Sequence, residues 1–120
     1  MTFKILGHEV EADLFNPDVM AAFEDTIAAT VARTAEQIEG EKVSEGIRRQ
    51  CQAVIDCIDT VFGAGSAATV FEGRTDLLKC LDAFEDVCFI HEQMTAEIEK
   101  RSKKALARAN KYSAARAARK

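Results

Sequence analysis

The residues whose types and spacing could support chemistry lie mainly in the second half of the chain. Cys88 and His91 are three positions apart, so on a helix their side chains would share one face and could share a metal ion. A zinc site needs two further ligands, and no other residues have ligand spacing. We therefore interpret Cys88 as a buried cysteine and His91 as a residue at the edge of the core, and we expect no metal.

Catalysis and phosphate binding are also weakly indicated. Asp82, Glu85 and Asp86 place three carboxylates within five residues, and such groups perform acid–base chemistry only when burial or proximity shifts the pKa of one of them. Their positions fall on the polar side of an amphipathic helix, which favours a solvated acidic face. Gly63-Ala64-Gly65 resembles part of a phosphate loop, but no strand precedes it and no lysine follows at the required position. We expect neither an enzyme nor a cofactor.

Length and composition indicate a single domain. The chain has 120 residues, of which 48% are hydrophobic and 30% charged, and this is enough for one core. It contains no run of about 18 apolar residues, so no membrane span is predicted, and its first residues lack the features of a secretory signal. Four cysteines form no CxxC pair, and without an export signal we expect them to stay reduced. A cytoplasmic protein with no membrane partner is favoured.

Charge divides the chain into two parts. Residues 1–99 carry all 20 acidic groups and 7 basic ones, a net charge of −13, whereas residues 100–120 carry 9 basic groups and no acid. We therefore predict an acidic helical domain over residues 1–99, with a β-hairpin at residues 1–13, and a basic helical extension over residues 100–120. The candidate partner-binding residues are the basic side chains of this extension: Lys100, Arg101, Lys103, Lys104, Arg108, Lys111, Arg116, Arg119 and Lys120.

Three interpretations of the basic extension remain open. It could be a solvated helix end, whose cations complement the negative end of the helix dipole. It could dock on an acidic surface of its own fold, of a second copy of the chain, or of another protein. It could instead contact nucleic acid, since each neutralised phosphate releases counterions and adds affinity. Nucleic acid is the least favoured, because only Tyr112 could stack on a base and the rest of the chain is strongly acidic.

The N-terminal residues alternate as in a β-hairpin. A turn at Gly7-His8 pairs Phe3 with Ala12 and Ile5 with Val10, which places these four side chains on one apolar face. Glycine at the first turn position is typical of a type II′ turn. Because an isolated hairpin is marginally stable, we expect this face to pack on helices.

Three long helices follow the hairpin. Asn16-Pro17-Asp18 is a strong helix start, Ser44 is the expected cap of the second helix, and Thr75 or Asp76 that of the third. The predicted core stripe of the first helix comprises Val19, Met20, Phe23, Ile27, Val31 and Ile38. That of the second comprises Ile47, Cys51, Val54, Ile55, Ile58, Val61 and Phe62. That of the third comprises Leu77, Leu81, Phe84, Cys88, Met94 and Ile98, widened by Val87 and Ile90.

The third helix has no predicted end. No glycine or proline follows Gly73, so nothing in the sequence stops the helix before Lys120. A helix over residues 76–120 would be roughly 65 Å long, whereas a domain of this size has a radius of gyration of about 13–14 Å. The far end is therefore expected to project, to fray or to bind a partner.

Two phenylalanine–glycine turns separate the second and third helices. The structural turn motif comprises five residues: Phe62, Gly63, Gly65, Phe71 and Gly73. Glycine ends helices because it adopts left-handed conformations without a Cβ penalty, so we predict a short helix over Ala67–Phe71, capped by Ser66. The predicted fold is mainly α: a small helical domain of three long helices plus one short helix, with an N-terminal β-hairpin and a long basic C-terminal helix.

The segment around these turns resembles a known group of proteins. The segment is similar to a family of short proteins from the tail-gene modules of siphophages and prophages. The resemblance is carried by the sequence AVIDCIDTVFGAGSAATVFEGRTDLLKCLDAFEDV together with the N-terminal FKILGHEVEADLF. The resemblance covers roughly residues 1–90. Its most specific positions are Phe62, Gly63, Gly65, Phe71, Gly73, Leu81 and Phe84.

Proteins of that family look like tail assembly chaperones: they are small, acidic, helical and non-enzymatic. They associate with the tape-measure protein and keep its long helices soluble until the tail tube polymerises around them. The resemblance therefore implies a tail assembly accessory protein of the host cytoplasm that binds the tape measure by helix-in-groove packing. The alternatives are a nucleic-acid-binding accessory factor that uses the basic helix, and a small phage inhibitor of a host system.

Overall fold

The computed structural model describes residues 1–118, which form four helices and a two-stranded antiparallel hairpin. In chain order the elements are β1 (Thr2–Ile5), β2 (His8–Glu11), α1 (Pro17–Ala35), α2 (Val43–Phe62), α3 (Ser66–Phe71) and α4 (Leu77–Ala118). The predicted fold class is confirmed. The chain divides into two compact units, one from Met1 to Ile90 and a second that begins at His91. The predicted domain boundary between residues 99 and 100 stays a prediction.

The hairpin reverses at Leu6-Gly7, and the predicted turn at Gly7-His8 is wrong. Both turn residues have positive φ, 50° and 80°, as a type I′ turn requires. The backbone twist of a type I′ turn matches the twist of the two strands, whereas type I and type II turns splay the strands apart. Phe3 consequently pairs with Val10, two positions from its predicted partner. A shift of two positions preserves the alternation of side chains, so Phe3, Ile5 and Val10 are still buried together.

Helix α1 begins where the Asn-Pro-Asp sequence predicts. The Asn16 side chain accepts hydrogen bonds from the backbone N–H groups of Asp18 and Val19, at 2.9 and 3.3 Å. Pro17 occupies the first helical position, where its missing N–H costs nothing.

The predicted apolar stripe of α1 is partly wrong. Phe23 is buried, but Val31 and Ile38 are 49% and 45% exposed. Thr30 is buried instead, and its hydroxyl donates to the carbonyl oxygen of Thr26 at 2.7 Å. That hydrogen bond satisfies the polar group inside the protein, which is why a threonine can occupy a core position that the hydrophobic pattern does not indicate.

Arg49 of α2 fixes the connection between α1 and α2. Its guanidinium donates to both oxygens of the Glu41 carboxylate, at 2.9 and 3.0 Å, and to the carbonyl oxygens of Arg33 and Glu36. These carbonyls belong to the end of α1, where helices leave acceptors without an internal partner. The hydrogen bond between the two side chains lowers the pKa of Glu41 and raises the pKa of Arg49.

Helix α2 begins two residues earlier than predicted. Lys42 is the capping residue, and its backbone N–H donates to the Glu45 carboxylate at 3.4 Å, so Ser44 lies inside the first turn and the predicted Ser44 cap is wrong. The buried face of α2 consists of Cys51, Ala53, Val54, Cys57 and Ile58. Three residues of the predicted stripe belong to this face: Cys51, Val54 and Ile58. The other four are only half-buried or exposed, with Ile47 at 38% exposure.

Two glycine turns connect α2 to α4. Gly63 has φ 106° and ψ 149°, a backbone region that is essentially restricted to glycine. Gly65 precedes α3 with φ 89°. Glu72 and Gly73 both have positive φ after α3, so the second reversal is carried by two residues rather than by the glycine alone.

The cap of α3 comes from α2. The Asp59 side chain accepts the backbone N–H of Ala67 at 2.9 Å, whereas Ser66 is the first residue of the helix and its hydroxyl donates to the carbonyl oxygen of Phe62 at 3.0 Å. The predicted Ser66 cap is therefore wrong. A carboxylate eight positions earlier performs this role because the turn brings the end of α2 beside the start of α3.

Helix α4 begins after Asp76, whose side chain accepts the backbone N–H of Lys79 at 2.8 Å, and it is continuous from Leu77 to Ala118. Its buried residues are Cys80, Ala83, Val87, Ile90 and Met94. The predicted stripe is partly wrong, since Leu81 and Ile98 are 45% and 37% exposed. The buried stripe includes the small side chains Cys80 and Ala83, which a search for large apolar residues passes over.

Candidate partner-binding surface

The described residues offer no cluster for metal chemistry. Within residues 1–118, no group of three or more histidine, cysteine, aspartate or glutamate side chains is placed to hold a metal ion. The His8 imidazole instead contacts the Glu72 carboxylate, with Nε2 and Oε1 2.8 Å apart. None of the helices over these residues is long and apolar enough to cross a membrane.

The buried cysteines behave as small core residues. Burial raises the pKa of Cys57, and burial together with the neighbouring Cys51 thiol raises the pKa of Cys80 to about 12. None of the four cysteines forms a disulfide bond, and only Cys88 is partly exposed. Since the thiolate is the reactive form, a raised pKa keeps Cys57 and Cys80 inert at neutral pH.

One exposed face of α4 combines apolar and acidic side chains. It consists of four residues at successive spacings of four, three and four, which we call the acidic–apolar stripe: Leu78, Asp82, Glu85 and Phe89. Residues with this spacing lie on one side of a helix. Leu78 is 70% exposed and Phe89 is 55% exposed, and no ion pair among residues 1–118 involves Asp82 or Glu85.

The composition of the acidic–apolar stripe suits contact with another helix. Burying a fully exposed leucine or phenylalanine side chain is worth about 1.5–3 kcal/mol. Since Leu78 and Phe89 are 70% and 55% exposed, a partner that covers both gains more than half of that amount from each. The two carboxylates between them favour a partner with basic side chains and raise the rate of encounter.

Sequence reasoning missed Leu78 and Phe89 as surface residues. Both adjoin core residues in the chain and look like additional members of the core stripe. Their position around the helix could have identified them. They are eleven residues apart, which places them on the same helical face, and Asp82 and Glu85 lie between them on that face. An apolar residue that shares a face with two carboxylates points away from the core.

The described members of the predicted basic set all lie on α4 and are exposed: Lys100, Arg101, Lys103, Lys104, Arg108, Lys111 and Arg116. Arg119 and Lys120, which complete the predicted set, lie outside the described residues. Two of the cations pair one turn back along the helix: Arg101 with Glu97 at 2.6 Å and Lys103 with Glu99 at 2.9 Å. The hydrogen bond from Arg101 lowers the pKa of Glu97.

Three other cations form a second regular face. Lys104, Arg108 and Lys111, followed by Ala115, repeat the spacing of four, three and four, and we call this set the cationic stripe. No ion pair within residues 1–118 involves these three cations. Tyr112, adjacent in the chain, is 67% exposed. The stripe therefore presents three charges at one side of a helix without internal neutralisation.

The turn motif has a structural role in the described chain. Phe71 is 2% exposed, and α3 contacts both α2 and β2. The Phe62 ring is only half-buried, and it meets the Phe23 ring edge to face with centroids 6.3 Å apart. Gly63, Gly65 and Gly73 are exposed with positive φ, so these residues reverse the chain.

These features define a small helical protein whose last helix carries an acidic–apolar stripe and a cationic stripe. Residues 6–120 match the model of a family of unknown function, DUF6673, and the chain belongs to that family. No curated protein and no solved structure matches the chain. The family match assigns no activity and gives no link to phage tail modules, so the resemblance described above stays a prediction.

Proposed function

We propose that the protein is a non-enzymatic tail assembly accessory protein of the host cytoplasm that binds a helical client, the tape-measure protein, through the acidic–apolar stripe. The observation that carries this proposal is the exposure of Leu78 and Phe89 on one helix face with Asp82 and Glu85 between them. A helix face that carries apolar side chains with polar groups between them suits helix-in-groove packing against a client. The choice of the tape measure as client rests on the resemblance to tail-module proteins.

The stripe also specifies the chemistry of the client. A client helix has to present apolar side chains to Leu78 and Phe89 and basic side chains to the two carboxylates. Burial of the apolar pair determines mainly how slowly the complex dissociates, whereas the carboxylates determine partner choice and the rate of association. Such a contact covers apolar residues of the client before assembly, which is the physical requirement for a chaperone.

The proposal is tested by co-expression of the tagged full chain with a phage tape-measure protein, the proposed client, followed by affinity capture. We expect the wild type to retain the client and a Leu78→Ser/Phe89→Ser variant to lose most of it. The matched control is Val43→Ser, because Val43 is 81% exposed on a different helix and should not affect capture. Equal capture by the double variant and the wild type, or no capture by the wild type, contradicts the proposal.

Nucleic-acid binding is the second candidate function, and the cationic stripe is the observation that favours it. Fluorescence anisotropy with single-stranded and duplex DNA distinguishes it from client binding. If the three stripe cations each neutralise a phosphate, the logarithm of the duplex association constant should fall with a slope of about −3 against the logarithm of salt concentration. Binding with that slope, lost in a Lys104→Glu/Arg108→Glu variant, would favour nucleic acid over a protein client.

A further inference from the structure

The two stripes of α4 have matching spacings and complementary charges, and we propose that the acidic–apolar stripe of one copy binds the cationic stripe of a second copy. Each stripe has positions separated by four, three and four residues, so two helices can align all four positions. An antiparallel alignment makes four contacts between copies: Leu78 with Ala115, Asp82 with Lys111, Glu85 with Arg108, and Phe89 with Lys104. Both central contacts then join an acid to a base.

The antiparallel direction follows from the outer contacts. A parallel alignment also pairs acids with bases, but it places the Lys104 ammonium against Leu78. The antiparallel alignment places that ammonium against the Phe89 ring, where a cation–π contact is favourable, and leaves Leu78 beside the small Ala115. Antiparallel helices also bring the positive end of one helix dipole near the negative end of the other.

A second copy is favoured as the occupant because one chain carries both halves of the contact. Residues 1–99 have a net charge of −13, and residues 100–120 add nine basic groups with no acid. The stripe residues Asp82, Glu85, Lys104, Arg108 and Lys111 are all exposed, and no ion pair within the described residues involves them. The inference goes beyond the proposed function, because self-association requires no client. Since both contacts use the acidic–apolar stripe, a second copy and a client compete for it.

Sedimentation equilibrium of the full chain over a concentration series, without any client, tests the contact. We expect the mean mass of the wild type to rise with concentration at low salt and to rise less at high salt, since exposed charge pairs are screened. Asp82→Lys should weaken self-association by about five- to tenfold, because it replaces an attraction by a repulsion. Asp82→Lys combined with Lys111→Asp should restore the association constant to within about twofold, since the swap re-forms the pair.

A matched double variant fixes the alignment. Asp82→Lys combined with Arg108→Asp has the same formal charge change as the restoring pair, but in the antiparallel alignment it leaves like charges opposed at both central positions. We expect it to associate no better than Asp82→Lys alone. The proposal is overturned if the wild type stays monomeric, if Asp82→Lys has no effect, or if this second double variant recovers as well as the first or better. All positions are exposed, and unchanged helicity by circular dichroism confirms that each variant is folded.

Discussion

The backbone N–H of Leu6 donates a hydrogen bond to Oδ2 of Asp86, with the two atoms 2.9 Å apart. Leu6 is the first residue of the hairpin turn and has φ 50°, a left-handed conformation that is uncommon outside glycine. Because a carboxylate from α4 accepts this N–H, the turn is joined to the helical core by a polar contact as well as by the buried hairpin face. The contact links residues that are 80 positions apart in the chain.

The first prediction concerns this contact. Asp86→Ala should lower the free energy of unfolding by about 1–3 kcal/mol, because a partly buried N–H loses its charged acceptor. Asp86→Asn keeps an acceptor oxygen and should lose less. Glu92→Ala, an exposed position on the same helix outside both stripes, is the control and should change stability by no more than about 0.5 kcal/mol. Urea denaturation measures all three, and equal effects at Asp86 and Glu92 would contradict the assigned role.

The second prediction concerns the glycine that ends α2. Gly63→Val should destabilise the fold by about 1–3 kcal/mol or more, because a β-branched residue is strained at φ 106° and ψ 149°. Ala64→Val adds comparable bulk one residue later at an exposed position and should be nearly neutral. Thermal unfolding followed by circular dichroism compares the two variants. A Gly63→Val protein that keeps the wild-type melting temperature refutes the role of this turn.

The success and failure of prediction from sequence have physical causes. The fold class and the start of α1 could be predicted because they depend on neighbouring residues, such as the Asn16 side chain and Pro17. Contacts between distant residues could not: Arg49 binds the end of α1, and Asp59 caps α3, although nothing local to either residue indicates it. The hairpin turn was misplaced because Gly7 fits either the first or the second position of a two-residue turn. The observed turn is favoured by the hydrogen bond to Asp86, a residue far away in the sequence.

The candidate surface could be predicted only in part. The basic residues of α4 stand out because charge alone identifies them, and the described ones are exposed as expected of cations. Leu78 and Phe89 could not be recognised as surface residues, since an apolar residue on a long helix is assigned to the core unless it is known which side of the helix is buried. The buried side includes Cys80 and Ala83, whose small side chains contribute little to the hydrophobic pattern.

The third prediction concerns pH. The Arg49 guanidinium lowers the pKa of Glu41 in the folded state, so the unfolded chain binds a proton at Glu41 more readily than the folded chain. The stability that Glu41 contributes is therefore present above its ordinary pKa and is lost as the pH falls through the lower folded value. Denaturant titrations from pH 7 to pH 3 should show Glu41→Gln less stable than the wild type at pH 7, with the difference shrinking in acid. Glu39→Gln, in the same connection, is the control; a difference at Glu41 that is independent of pH contradicts this account.

The fourth prediction concerns thiol reactivity. Native protein treated with a thiol reagent at pH 8 should react first at Cys88, because it is the only partly exposed cysteine. Cys80, whose pKa is raised to about 12, should react only after unfolding, since almost none of it is thiolate at pH 8. Mass spectrometry of labelled peptides locates the modified residue, and a Cys88→Ser variant should lose the fast phase. Equal labelling of Cys80 and Cys88 in the native state would contradict the described burial.

The measurement that tests the central claim most directly is suppression of client aggregation. A purified helical segment of the tape-measure protein is diluted from denaturant, and its aggregation is followed by light scattering in the presence of increasing amounts of the full chain. The account predicts that the wild type and Val43→Ser suppress scattering at near-stoichiometric ratios, whereas Leu78→Ser/Phe89→Ser does not. Equal suppression by the double variant, or no suppression by the wild type, would show that the acidic–apolar stripe does not bind this client.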